Sequence, residues 1–191
     1  MGNMEIIYDK IRDIKIPDSE IIQDIEHAKC KDLGFDINLG NKNNWSLLMN
    51  AVDNRREELV RYLLSIPGIN VNHRSFGGNT VLYSCETVSI LKLLLNRREL
   101  DVNIQNIWGY TGLHRSCFWG RKACVKEYLL DARGDAFIRD RDGDTARDNA
   151  LRRGYVDIAK IISNSRYTSL LRIPNASLCR DITRMIIEEY T

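Results

Sequence analysis

Three histidines, five cysteines and one dense acidic stretch are the residues of this 191-residue chain that could do chemistry. Hydrolysis or group transfer needs a nucleophile beside a base, or paired acids in a cleft, and a metal needs ligands at coordinating spacing. His27, His73 and His114 stand apart in sequence, and no H-E-x-x-H, G-x-S-x-G or phosphate-cradling loop accompanies them. Asp140-Arg141-Asp142-Gly143-Asp144 has the look of a calcium loop, but the first ligand would fall on Ile138 and the closing Glu on Asn149, so the stretch reads as a hairpin tip. Cys30, Cys85, Cys117, Cys124 and Cys179 form an odd set with no C-x-x-C pair, which argues against a disulfide framework and a zinc site and for small buried fillers. The expectation is a protein that is not an enzyme, with no catalytic residues, no cofactor, no metal and no small-molecule substrate.

Composition narrows the classes further. With 28 basic and 26 acidic side chains the net charge is only +2, so no global field draws the chain to nucleic acid or to an anionic membrane. No run approaches the ~18 apolar residues of a membrane span, and residues 1 to 6 lack the pattern of a secretion signal. The expected location is therefore the cytosol or the nucleus, where Asn44-Trp45-Ser46 and Asn175-Ala176-Ser177 would not meet a glycosylating enzyme.

The elements that must position these residues announce themselves by repetition. Asn44-Trp45-Ser46-Leu47-Leu48-Met49-Asn50-Ala51 aligns with Gly78-Asn79-Thr80-Val81-Leu82-Tyr83-Ser84-Cys85, with Gly109-Tyr110-Thr111-Gly112-Leu113-His114-Arg115-Ser116 and with Gly143-Asp144-Thr145-Ala146-Arg147-Asp148-Asn149-Ala150. The Ser/Thr anchors Ser46, Thr80, Thr111 and Thr145 fall 34, 31 and 34 residues apart. Asp36-Ile37-Asn38, Asn70-Val71-Asn72 and Asp101-Val102-Asn103 each end eight residues before an anchor, and Asp135-Ala136-Phe137 is a degenerate fourth copy. Apolar pairs such as Leu59-Val60 with Leu63-Leu64, and Ile90-Leu91 with Leu94-Leu95, lie on one helical face.

Roughly residues 20 to 163 thus resemble the ankyrin family, with Thr111-Gly112-Leu113-His114 nearest to its T-P-L-H phrase. The resemblance implies an all-α ankyrin-repeat solenoid of helix-turn-helix repeats joined by β-hairpin loops, because one helix pair cannot bury its apolar face alone. Residues 1–165 are expected to form the repeat domain, with an amino-terminal cap at 1–40 and repeats at about 41–74, 75–105, 106–139 and 140–165; residues 166–191 form a tail. The cap reads as a helix pair broken near Pro17 and carrying Ile6, Ile7, Ile11, Ile21, Ile22, Ile25 and Ala28. In the tail, Leu178, Ile182, Met185 and Ile186 read as the stripe of a capping helix. Each anchor hydroxyl is expected to cap its first helix, Gly120 and Gly154 to turn the chain between paired helices, and His114 to bond Thr111 or nearby backbone.

Three departures stand out. No copy has proline after its anchor, Arg55 takes the first copy's inter-helix glycine position, and the second copy is three residues short between Cys85 and Ile90, which should distort the stack locally.

In ankyrin proteins partners are held by the hairpin tips and by the exposed side of the first helices. The resemblance therefore makes Trp45 and Trp108 on tips, Trp119 at a helix end, and Phe76, Ile107, Tyr110 and Phe118 candidate recognition residues, with Arg141, Arg152 and Arg153 beside them. An aromatic patch next to a cationic one suits a protein partner with an acidic or amphipathic segment. Packing between adjacent hairpins is the competing use, above all for Trp108 and Trp45. A second function class is the ubiquitin-ligase adaptor, since Pro174, Leu178-Cys179-Arg180 and Asp181-Ile182 faintly resemble the start of a SOCS box or an F-box-like helix. The doublets Arg55-Arg56, Arg97-Arg98 and Arg152-Arg153 are spread a full repeat or more apart, so they are expected to decorate turns and helix ends rather than to bind nucleic acid.

Overall fold

Apolar pairs spaced three and four residues apart set the buried faces of the helices, and the computed structural model describes residues 2–31 and 35–171. The described residues form α1 (Gly2–Arg12), α2 (Asp18–Lys31), α3 (Leu47–Asp53), α4 (Glu57–Ser65), α5 (Val81–Ser84), α6 (Val88–Leu95), α7 (Gly112–Phe118), α8 (Lys122–Leu130), α9 (Ala146–Arg152) and α10 (Val156–Leu171). Helices α1, α3, α5, α7 and α9 pack in sequence as one layer, and α2, α4, α6, α8 and α10 as a second. The core runs unbroken between them, from Ile7, Ile11, Ile21 and Ile25 through Leu47, Leu59, Leu82, Ile90, Leu113 and Val125 to Ile158 and Ile162. In the cap, Ile6 departs from the expectation: it is exposed, one helical position off the buried face of Ile7 and Ile11. The expected tail helix, the adaptor-like residues and Cys179 lie outside the described residues.

The inter-helix turns follow the repeat. Gly120 and Gly154 have φ of 68° and 81°, and Arg55 holds the same left-handed turn at 58°, a conformation costly for a residue with Cβ. Three anchors cap as expected: Ser46 accepts from the Met49 N–H, Thr111 from that of His114 and Thr145 from that of Asp148. Thr80 makes no such bond, and its helix α5, in the shortened copy, is only a four-residue turn. Cys85, Cys117 and Cys124 are buried fillers, whereas Cys30 is exposed near the end of α2 and corrects that reading.

The Asp-x-Asn phrases are devices for stacking. Asp36, Asn70, Asp101 and Asp135 each accept the N–H two residues on, closing a tight turn. Asn38, Asn72 and Asn103 then bridge to the following repeat, accepting from the N–H of Asn70, Asp101 and Asp135 and donating to the carbonyls of Gly68, Glu99 and Arg133. The hairpin loops carry no strand among the described residues; an isolated antiparallel bridge joins Arg139 to Thr145.

Candidate binding surface

Each hairpin tip is closed by the side chain of its first residue. Asn41 accepts from the N–H groups of Asn43 and Trp45, Asn106 from those of Trp108 and Tyr110, and Asp140 from those of Asp142 and Asp144; Ser75 accepts from that of Asn79. Backbone bonds then tie tip to tip, with Phe76 donating to the Asn43 carbonyl, Ile107 to that of Gly77 and Arg141 to that of Trp108. The tips form a fixed row, and the side chains they hold outward are Phe76 (75% exposed), Ile107, Trp108 and Arg141. Trp108 also reaches back over the previous tip, its Cη2 3.9 Å from where a Cβ on Gly77 would stand. Trp45, a candidate recognition residue from its place on the first tip, does not join this row: it is half-buried and packed on the core, the competing use. Tyr110 occupies the equivalent place two repeats along, half-buried, its ring 5.9 Å from that of His114.

A second cluster gathers at the carboxy-terminal ends of the first helices. Phe118 closes α7 and Trp119 caps it, and their rings meet edge to face at 5.4 Å and 78°. Arg153, the cap of α9, lies 4.6 Å over the Phe118 ring. Arg152 is ion-paired to Asp144, which ties its charge to the fourth tip. Arg115, one turn before Trp119, stacks its guanidinium 5.0 Å from the Trp119 ring and 4.7 Å from that of Tyr83 on α5, favourable cation–π geometry on both sides. Glu86 bridges Arg55 and Arg121 from the neighbouring repeats. Burial and the nearby Glu86 hold the Asp53 carboxyl above its usual range, while Ser84, Arg115 and Arg121 pull it down. The structure thus brings Phe118, Trp119 and Arg153 together and adds Tyr83, Arg115, Glu86 and Asp53 around them. The spacing of Arg115 and Trp119, four residues apart on one helix, was the readable sign of these additions; Tyr83 and Glu86 become neighbours only through stacking.

Chemistry by His114 is spoken for structurally. Its Nδ1 accepts from the Thr111 N–H at 3.3 Å, which puts the proton on Nε2 facing the Asp144 carbonyl at 3.4 Å, and burial lowers its pKa. Asp140 spends its carboxylate on the tip and on the Asn149 amide at 3.0 Å, the arrangement of a hairpin turn. Among the described residues no group of His, Cys, Asp and Glu is placed to hold a metal, and no helix is long and apolar enough to cross a membrane.

Comparison with known proteins agrees with this architecture. The sequence profile of the family described as ankyrin repeats (3 copies) matches residues 21–106 and 81–170. SMC5-SMC6 complex localization factor protein 1 of Bos taurus is 33% identical over 97 residues, 49% of this chain and 9% of that protein. The Homo sapiens protein of the same name is 32% identical over 111 residues, 56% of this chain and 10% of its own length. The chain spans about a tenth of the length of these curated relatives.

Proposed function

The chain belongs to the ankyrin-repeat family, and from that premise we propose that it is a non-enzymatic module whose third and fourth repeats grip a partner protein. The observation that carries this is the Phe118–Trp119 pair. Trp119 is 47% exposed, and the two rings lie edge to face with Arg115 over one and Arg153 over the other, contacts that favour these rotamers before a partner arrives. Ile107, Trp108 and Tyr110 extend the apolar surface along the tips, and Arg141, Arg152 and Arg153 flank it. Phe76 continues the row one repeat earlier, and Trp45 contributes packing beneath it.

The relatives supply a first partner to test, because their name ties them to the SMC5-SMC6 complex. Purified SMC5-SMC6 complex is expected to be retained by the immobilised chain. Phe118→Ala and Trp119→Ala should weaken that binding at least tenfold while thermal stability holds, since truncating a central aromatic anchor commonly costs about 2 kcal/mol or more. Loss of the fold in both variants would make the rings packing residues. Undiminished binding would place the site elsewhere, and no retention of the complex by the unaltered chain would discard this partner.

A further inference from the structure

The three residues missing from the second repeat belong to the turn that carries Phe118 and Trp119 in the third repeat and Asp53 in the first. Helix α5 therefore stops at Ser84, whereas α3 and α7 run on to Asp53 and Phe118. About 4.5 Å of helix is absent from the middle of the first-helix layer, and the side chains at its edges are Tyr83, Ser84, Glu86, Asp53, Arg115 and Trp119. Their neighbourhood is documented by the two ring stackings of Arg115 and by the interactions of Asp53 with Glu86, Ser84 and Arg115.

The charges around this notch do not cancel. Arg55 and Arg121 share Glu86, and Asp53 takes a hydrogen bond from Ser84. Arg115 feels Asp53 and Glu86 only at longer range, and lies over its two rings with a buried Nε that lacks an acceptor and with no carboxylate at ion-pair distance among the described residues. Arg153 adds a further positive charge on the Phe118 ring. An arginine fixed between aromatic planes has its planar fork oriented before any ligand arrives, and that fork matches a carboxylate with two parallel hydrogen bonds. The geometry points to Arg115 as the anchor for one acidic side chain, Asp or Glu, of a partner segment lying across the second and third repeats, with Tyr83 and Trp119 as the walls of its site. This rests on the reading that the face binds protein and names the chemistry it selects.

The test is a random-peptide display selection on the intact chain, run in parallel on Arg115→Gln and Arg115→Lys. Peptides enriched on the unaltered chain should share an acidic residue at one motif position, and that preference should vanish on Arg115→Gln while the apolar part of the motif persists. For a synthetic peptide from the selection, changing its acidic residue to the amide and Arg115→Gln should each weaken binding about tenfold, and together little more than either alone. Arg115→Lys, which keeps the charge but not the fork, should recover only part, and it serves as the test variant if Arg115→Gln does not fold. A shared motif without the acidic position, or an acidic preference unchanged on both variants, overturns the anchor while leaving the binding face standing. No enrichment on the unaltered chain removes the binding face and the anchor with it.

Discussion

At the residue scale, the missing proline of the T-P-L-H phrase has a steric cause at Gly112. A Cβ there would stand 2.4 Å from the Tyr128 Oη and 2.9 Å from the Leu82 Cβ, inside the core. Tyr128 cannot readily withdraw, because its hydroxyl donates to the Leu82 carbonyl at 3.2 Å. Gly112→Ala should therefore destabilise the fold by about 1–3 kcal/mol, and part of that should return in a Tyr128→Phe background; urea unfolding of the three variants measures both. His114 makes a pH prediction. Burial lowers its folded pKa below the unfolded value, so between the two the unfolded chain binds a proton that the native one does not. Stability should fall as pH drops below about 6.5, and the decline should be shallower in His114→Asn, compared by urea unfolding at pH 7 and at pH 5.5.

At the scale of elements, helix ends are closed by arginines from neighbouring elements. Arg56 donates to the carbonyls of Ile11 (3.1 Å), Ile16 (2.5 Å) and Lys10 (3.3 Å) and pairs with Asp18 at 2.9 Å, while Asp18 also accepts the Leu59 N–H. One side chain thus satisfies the open end of α1 and locks the cap onto the first repeat. Arg97 does the same for the Leu64 carbonyl, and Arg133 for those of Leu95, Arg97 and Leu100. Two of the basic doublets are accounted for in this way: each has an arginine turned onto carbonyls. Because the Arg56–Asp18 pair is nearly buried, Arg56→Gln should cost about 3 kcal/mol. The loss should appear first as faster amide exchange in α1 and α2, ahead of the third and fourth repeats. Uniform acceleration along the whole chain would mean that the cap is not a separately opening unit.

At the scale of the whole molecule, each repeat touches its neighbours through three parallel seams: the tip row, the Asn bridges and the apolar layer between helices. The thiols report on whether this stack opens as a unit. Burial pushes the Cys85 and Cys117 thiols up to about 12 and raises that of Cys124, so all three should be inert as nucleophiles in the native state. Cys30 is exposed. A thiol reagent at pH 8 should label Cys30 within the mixing time, and Cys85, Cys117 and Cys124 together at a common slow opening rate, followed by peptide mass spectrometry. Early labelling of Cys85 alone would locate a weak point at the shortened second repeat.

The amino-acid sequence by itself determined the helix pairs, the repeat period, the left-handed turns at Gly120 and Gly154, and, of the four helix caps it led one to expect, the three at Ser46, Thr111 and Thr145. These are local matters: a hydroxyl two or three residues from an N–H, a turn that favours glycine, apolar pairs on one helical face. It also pointed to Phe118, Trp119 and Arg153 as surface residues, because the repeat assigns them to helix ends. Only the tertiary structure decided that Arg115 lies between Tyr83 and Trp119, that Glu86 joins Arg55 to Arg121, that Trp45 packs inward and that Arg56 closes α1. Those partners sit tens of residues apart along the chain, and which of them meet depends on how far each repeat is rotated and shifted on the last. No single repeat encodes that rotation; it comes from how adjacent side chains fill the space between two helix layers.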